Sequence, residues 1–184
     1  MTRIVAGEVG GRRLVVPPGE RTRPTSDRAR EALFGTLSGL LDLAGARVLD
    51  LYAGSGAVGL EAVSRGAAHA LLVDADARAA ATATGNAATL GLADRVTVRR
   101  DKVERTLAGE PAEHDLVFAD PPYALADAEL AAVLTRLTEG WLAAGAVLVV
   151  ERASRGAGPS WPERVEPLKQ RRYGEGTLWY GRLS

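Results

Sequence analysis

The stretch Asp120-Pro121-Pro122-Tyr123 holds the residue types in this chain best able to do chemistry together. The apolar run Leu116-Val117-Phe118-Ala119 before it reads as a buried strand. Two successive prolines lack the N–H that a ladder needs, so the strand cannot continue past them. The chain must turn, leaving the Asp120 carboxylate and a neighbouring peptide carbonyl at the strand's carboxyl end. Tyr123 adds a flat apolar face suited to stacking on a planar ring. Two acceptors and an aromatic plate suit an exocyclic NH2 group: the acceptors take its hydrogens and the plate holds its ring. A nucleobase amine or a planar amide fits that description. Taken alone, the stretch could equally be a turn that merely ends a strand, so its chemistry depends on context.

A second constellation supplies that context. Gly54-Ser55-Gly56-Ala57-Val58-Gly59 has the G-x-G-x-x-G spacing between a strand and a helix, and Asp74 stands 20 residues past Gly54 at the end of the next strand. Glycines let backbone approach a ligand closely, and the carboxylate suits vicinal ribose hydroxyls, so a nucleoside-containing cofactor is expected. Two details favour S-adenosylmethionine over NAD. Asp50, just before the loop, could serve a cationic amino-acid end but would repel a pyrophosphate, and a dehydrogenase has no use for Asp-Pro-Pro-Tyr. Asp101 ends the third strand, where it could receive an adenine amine with the Lys102 N–H beside the ring. It could equally cap the helix over 102–108, and both roles are compatible.

The elements that must position these groups alternate. Strands are expected over 48–51, 70–73, 95–99, 114–119 and 147–150, with helices over 57–65, 76–90, 102–108 and 127–138 between them. Such alternation implies a mostly parallel sheet with helices on both faces. Ahead of it, residues 3–6 and 12–16 flank a Gly10-Gly11 pair and read as a hairpin ended by Pro17-Pro18-Gly19, followed by an extended basic segment over 20–24. Thr25, Ser26 and Asp27 offer caps for a helix over 27–42, whose first turns carry Arg28, Arg30 and Glu31. Basic residues oppose the dipole there, which suggests a binding role. After a loop over 153–163, residues 164–168 and 177–182 read as a closing antiparallel hairpin.

Composition excludes several classes. The absence of cysteine removes disulfides and thiolate metal sites, and two histidines, His69 and His114, leave little for a zinc cluster or a hydrolase triad. Both are expected at the surface or at strand edges. The start lacks the apolar core of a signal peptide, so a cytoplasmic protein is expected. The net charge of zero conceals an asymmetry. Residues 1–30 hold seven basic against three acidic residues, as do residues 152–184, while the stretch between holds nine against seventeen. Should the two ends converge, they would form a positive footprint for a polyanion.

Together these residues resemble the RsmD family, bacterial methyltransferases that modify a guanine of small-subunit (16S) ribosomal RNA on its exocyclic N2. The resemblance spans nearly the whole chain. Its marks are Arg3-Ile4-Val5-Ala6-Gly7 with Gly11-Arg12-Arg13-Leu14, and Arg23-Pro24-Thr25-Ser26-Asp27-Arg28 leading to Arg30-Glu31-Ala32-Leu33-Phe34. Leu49-Asp50-Leu51-Tyr52-Ala53-Gly54-Ser55-Gly56 through Glu61-Ala62 and Ser64-Arg65-Gly66-Ala67, the Asp120 stretch, Glu151 and Tyr173-Gly174 complete them. The Arg-Pro-Thr block discriminates, since the other main marks also occur in DNA and protein-amide methyltransferases. Asp74 stands where the family often has Glu, and Ala6 where it often has Gly.

The resemblance implies an α/β, Rossmann-like class I methyltransferase: a mostly parallel seven-stranded sheet with a C-terminal antiparallel hairpin. A basic N-terminal β-hairpin extension would take residues 1–25 and the methyltransferase domain 26–184. Asp120, Pro121, Pro122 and Tyr123 would be catalytic. Asp50, Gly54, Ser55, Gly56, Asp74, Asp101 and Lys102 would surround S-adenosylmethionine, and Arg3, Arg12, Arg13, Arg23, Thr25 and Arg28 would meet the RNA. The expected partner is small-subunit ribosomal RNA, free or in an assembled or partly assembled particle, met by a monomer without metal or membrane. The competing readings are a DNA amino-methyltransferase acting on adenine or cytosine, disfavoured by the lack of room for a target-recognition domain, and a non-catalytic RNA-binding assembly factor.

Overall fold

The apolar runs meet as neighbouring strands of one sheet in the computed structural model, which describes residues 2–17 and 26–184. Pro18, Gly19, the segment 20–24 with Arg23, and Thr25 lie outside the described residues. In chain order the elements are α1 (Asp27–Leu37), β1 (Arg47–Leu51), α2 (Ala57–Ser64), β2 (His69–Asp74), α3 (Ala77–Thr89), β3 (Val96–Arg100), α4 (Val103–Ala108), β4 (His114–Ala119), α5 (Asp127–Leu137), β5 (Leu142–Ala153), β6 (Val165–Tyr173) and β7 (Gly176–Leu183). The seven strands lie in the order β3-β2-β1-β4-β5-β7-β6. The first five are parallel, and β7 runs antiparallel to both β5 and β6. This is the expected Rossmann-like sheet with its closing hairpin.

Alternation along β4 shows how the layers form. Leu116 and Phe118 join the core beneath α1, α2 and α3, while Val117 and Ala119 join the core beneath α4 and α5. Successive side chains of a strand point to opposite faces, so a continuous apolar run is what a doubly covered strand requires. The strand order reverses between β1 and β4, and parallel strands put every connection that follows them on one edge. The loops bearing Gly54, Asp74, Asp101 and Asp120 therefore share that edge.

Several boundaries differ from the sequence expectations for identifiable reasons. Helix α1 stops at Leu37 because Ser38 Oγ donates to Gly35 O at 2.7 Å and the chain tightens through Gly39. Leu40 and Leu41 still pack on the core, which preserves the apolar spacing beyond the helix. Strand β5 is far longer than 147–150, because Glu151 to Ala153 pair with β7 and Leu142 pairs with His114 across a register shift. His114 is 1% exposed and stacks on Trp141 at 6.1 Å between ring centroids, so it is a core residue rather than a surface one. The N-terminal hairpin reduces to a single bridge between Arg3 and Arg13, with Ile4 N donating to Arg12 O at 2.9 Å and Gly11 N to Ile4 O at 2.7 Å. Among the described residues, no helix is long and apolar enough to cross a membrane.

The N-terminal segment is fastened by a buried ion pair. Arg30 and Glu61 are both fully buried, with Arg30 Nε donating to Glu61 Oε1 at 3.1 Å. The two Glu61 oxygens also accept from Val5 N at 2.8 Å and Ala6 N at 3.0 Å, and Arg65 Nε donates to Oε2 at 2.8 Å. Arg30 further meets Asp27 Oδ1 at 2.9 Å and the Arg3 carbonyl. One carboxylate thus joins α1, α2 and residues 5–6. Gly7 completes the seam: it has φ +90°, and a Cβ there would lie 2.0 Å from Ser64 O. Arg30 is thereby spent inside the scaffold and does not belong to the basic surface.

Replacing Glu61 by Ala removes the buried carboxylate that Arg30, Val5 N and Ala6 N share, and breaking a buried pair in this way costs about 3–5 kcal/mol. Urea unfolding followed by tryptophan fluorescence is expected to show that loss; a change under about 1 kcal/mol, the scale of an exposed pair, would contradict it.

Candidate active site

A cleft of about 400 Å³ opens at the carboxyl edge between the β1 and β4 ends. Its floor is built by the loop after β1. Tyr52 takes a positive φ of 59°, unusual for a side-chain-bearing residue, and Gly54 and Gly56 follow with φ 58° and 84°. The reversal is pinned by Ala53 N donating to Val73 O at 3.0 Å and Gly56 N to Ala53 O at 2.9 Å. The glycines divide their work. A Cβ at Gly54 would meet nothing within 4 Å, so that backbone lies open to the cleft it lines. A Cβ at Gly59 would sit 2.2 Å from Leu72 Cδ2, so Gly59 lets α2 close onto β2.

Acidic groups brace this floor. Asp74 Oδ2 accepts from Gly54 N at 2.8 Å and Oδ1 from Asp76 N at 2.9 Å, holding the carboxylate at the cleft rim. Asp50 is 1% exposed and lines the cleft; its Oδ2 accepts from Gly59 N at 3.0 Å. Burial pushes the Asp50 carboxyl well above its ordinary value of 3.8, the Gly59 hydrogen bond opposes this, and the nearby charge of Asp74 adds to it. The rim also includes Val16 and Pro17 of the N-terminal segment. Asn86 ties that segment to the loop: its Oδ1 accepts from Val15 N at 2.9 Å and its Nδ2 donates to Val15 O and Ser55 O, each at 3.0 Å.

The turn after β4 forms the opposite wall. Asp120 and Pro122 line the cleft, Pro121 is buried, and Asp120 N is tied to Leu51 O at 3.4 Å. Tyr123 instead faces a second cavity of about 490 Å³, which Arg28, Glu151, Arg172 and Tyr173 also line. The turn is therefore a partition with one cavity on each side. Arg152, 7% exposed, holds its shape by donating to Pro122 O at 3.3 Å, Leu125 O at 2.8 Å and Asp127 Oδ1 at 3.0 Å. Leu125 N adds a bond to Pro122 O at 2.9 Å, so the bonds of this turn fall on Pro122 O rather than Pro121 O.

The residues singled out by sequence thus distribute as follows. Asp50, Gly54, Ser55, Asp74, Lys102, Asp120 and Pro122 share the first cavity, and Arg28 and Tyr123 share the second. Gly56 packs behind the floor. Asp101 turns onto its own helix, accepting from Lys102 N at 2.9 Å and pairing with Arg105 Nε at 3.7 Å. Arg3, Arg12 and Arg13 stand exposed on the N-terminal segment, with Arg12 Nη2 donating to Thr89 O at 2.9 Å. One arginine from each basic end, Arg28 and Arg172, lines the second cavity, together with Glu151 and Glu175. Sequence reasoning missed Arg152 and Asn86. The only signals were an arginine at the end of the most apolar strand and a lone amide in an alanine-rich helix.

Comparison with known proteins places this geometry. The family described as Conserved hypothetical protein 95, that of the small-subunit rRNA methyltransferases D, matches residues 2–182. The chain belongs to that family. It is 38% identical over 160 residues to ribosomal RNA small subunit methyltransferase D of Escherichia coli strain K12, covering 87% of this chain and 79% of the other. The solved structure of yhhF from Escherichia coli superimposes with a TM-score of 0.87 at 32% identity, covering 100% of this chain and 98% of that one. An RNA methyltransferase from Salinibacter ruber, solved with S-adenosyl-L-homocysteine, shares the fold with a TM-score of 0.66 at 19% identity, covering 88% of this chain and 94% of that one.

A carboxyl whose folded pKa is raised opposes folding once it must ionise, so the Asp50 penalty is absent below about pH 4 and grows as pH rises from there. Ligand-free Asp50→Asn is therefore expected to melt higher than the parent at pH 7 and to match it near pH 3.5–4, in thermal scans across about pH 3.5–8. A lower melting temperature for the variant at pH 7 would contradict the assignment.

Proposed function

We propose that the protein transfers a methyl group from S-adenosylmethionine to the N2 amine of a guanine in 16S ribosomal RNA. The observation that carries this reading is the Asp120–Tyr123 turn standing as the partition between a glycine-floored cleft and a second cavity lined by two tyrosines and by charged residues of both signs. The first cavity fits the cofactor. Gly54 leaves open backbone, Asp74 offers a braced carboxylate to ribose hydroxyls, Asp50 suits an ammonium group, and Val103 gives an apolar contact near Lys102 for a ring. When bound, S-adenosylmethionine supplies an electrophilic methyl on a sulfonium.

The chain's own residues then act on the amine. A guanine N2 is planar because its lone pair is delocalised into the ring, and so it is a poor nucleophile. Asp120 and the Pro121 carbonyl accept its two hydrogens, favouring a pyramidal nitrogen whose lone pair points into the cleft. The proline-locked turn holds these acceptors before the amine arrives, so the gain is alignment and stabilisation of developing positive charge. No strong base is needed, since the nitrogen's proton becomes acidic as the bond forms. Tyr123 stacks on a base turned out of the RNA, as chemistry on a base requires. Residues 1–25 act as a basic extension, and Arg3, Arg12, Arg13, Arg23, Thr25 and Arg28 meet the RNA. The substrate is the RNA, free or in an assembled or partly assembled particle, met by a monomer in the cytoplasm.

The test is incubation with labelled S-adenosylmethionine and undermethylated small subunits, with free RNA and DNA in parallel, followed by digestion to nucleosides. Label in N2-methylguanosine is expected; label only in N6-methyladenosine or N4-methylcytosine would favour the DNA-type reading, and none at all a binding factor. Asp120→Ala should lower the single-turnover rate about 10²–10³-fold, as for loss of one preorganised transition-state contact, with calorimetric cofactor affinity unchanged. An undiminished rate would reject the role.

A further inference from the structure

Methyl donation does not account for the second cavity, whose lining carries a carboxylate next in line to Asp120. Ala119 of β4 and Val150 of β5 are register partners, and Asp120 and Glu151 are the residues that follow them. Neighbouring strands run about 4.8 Å apart. Two carboxylate-bearing residues thus stand side by side, Asp120 just past the end of β4 and lining the first cavity, Glu151 within β5 and lining the second. Glu151 is held in place: Tyr123 Oη donates to its Oε2 at 3.3 Å. Gly176 makes room for this pair, since a Cβ there would lie 3.0 Å from Tyr123 Oη and 3.3 Å from Glu151 Oε2. A carboxylate has several lone-pair positions, so its two oxygens can accept from more than one donor.

We propose that Glu151 reads the N1–H of the target guanine, making the second cavity a recognition pocket for the Watson–Crick edge of a 2-amino-6-oxopurine. The inference rests on the reading of Asp120 as an acceptor for the N2 amine. In guanine the N1–H and the amine are adjacent donors, so acceptors carried by adjacent strands meet them together. Adenine and cytosine carry a ring lone pair beside the amine, and Glu151 would face it acceptor to acceptor. A site built around a hydrogen bond rejects analogues that cannot make it more strongly than an apolar pocket rejects a changed shape. Tyr123 and Tyr173 offer ring faces, and Arg28 and Arg172 suit the phosphates flanking a turned-out nucleotide. Glu151 is in this account a specificity-determining residue, separate from the acceptors that align the amine.

The test uses 2-aminopurine, which keeps the 2-amine but presents a lone pair at N1. The full chain is given small-subunit RNA carrying guanine or 2-aminopurine at the nucleotide that the parent protein methylates. The parent should prefer guanine strongly. Glu151→Gln, whose amide can donate to the N1 lone pair, should lose about 10–100-fold on guanine, the range for a hydrogen bond to a charged group. It should also shrink the guanine to 2-aminopurine ratio by at least tenfold, a factor worth about 1.4 kcal/mol. Glu151→Ala should lose the guanine rate without gaining on 2-aminopurine, and Asp120→Asn should lower both substrates together. Cofactor affinity, measured by calorimetry, reports that each variant is folded. A ratio that Glu151→Gln leaves unchanged would overturn this proposal alone. Failure of the parent to label any guanine would overturn the reading beneath it as well.

Discussion

Two prolines at the carboxyl end of a central strand set the constraint on which the rest depends. β4 lies between β1 and β5, where an ordinary residue at position 121 or 122 could have extended the ladder. Without N–H groups the chain cannot do so, and it leaves the sheet at the point where the strand order reverses. Arg152 then fixes the departing turn by satisfying the carbonyls of Pro122 and Leu125 and the carboxylate of Asp127. A buried cation is costly unless its donors are used, and here its donors are used to stiffen a loop. The turn becomes a rigid partition, with Asp120 on the side of the first cavity and Tyr123 on the side of the second.

The N-terminal segment is coupled to that partition through the cofactor-type cleft. Glu61 holds residues 5–6, Asn86 joins Val15 to Ser55, and Val16 and Pro17 reach the rim. The N-terminal segment therefore forms part of the cleft wall. The buried Arg30–Glu61 pair is weak evidence of net stability, but it specifies how α1, α2 and the extension fit together.

Much of this was legible in the sequence where the cause is local. Pro121-Pro122 ends a strand whatever surrounds it, the glycine loop announces a tight turn, and the alternation of apolar runs dictates a doubly covered parallel sheet. What stayed hidden depends on distant partners. Arg30 and Arg152 looked like surface charge because Glu61 and the Pro122 carbonyl stand about thirty residues away and meet them only in the fold. His114 looked like a strand edge because Trp141, the ring that covers it, follows α5. The placement of Glu151 beside Asp120 required the β4–β5 register, which no spacing along the chain reveals.

A structure of the protein with S-adenosyl-L-homocysteine tests the central claim most directly. The account expects the ligand in the cleft above Gly54, its ribose at Asp74 and its sulfur facing the edge of the turn where Asp120 stands. A sulfur lying away from Asp120, or a ligand held in some other cavity, would contradict it.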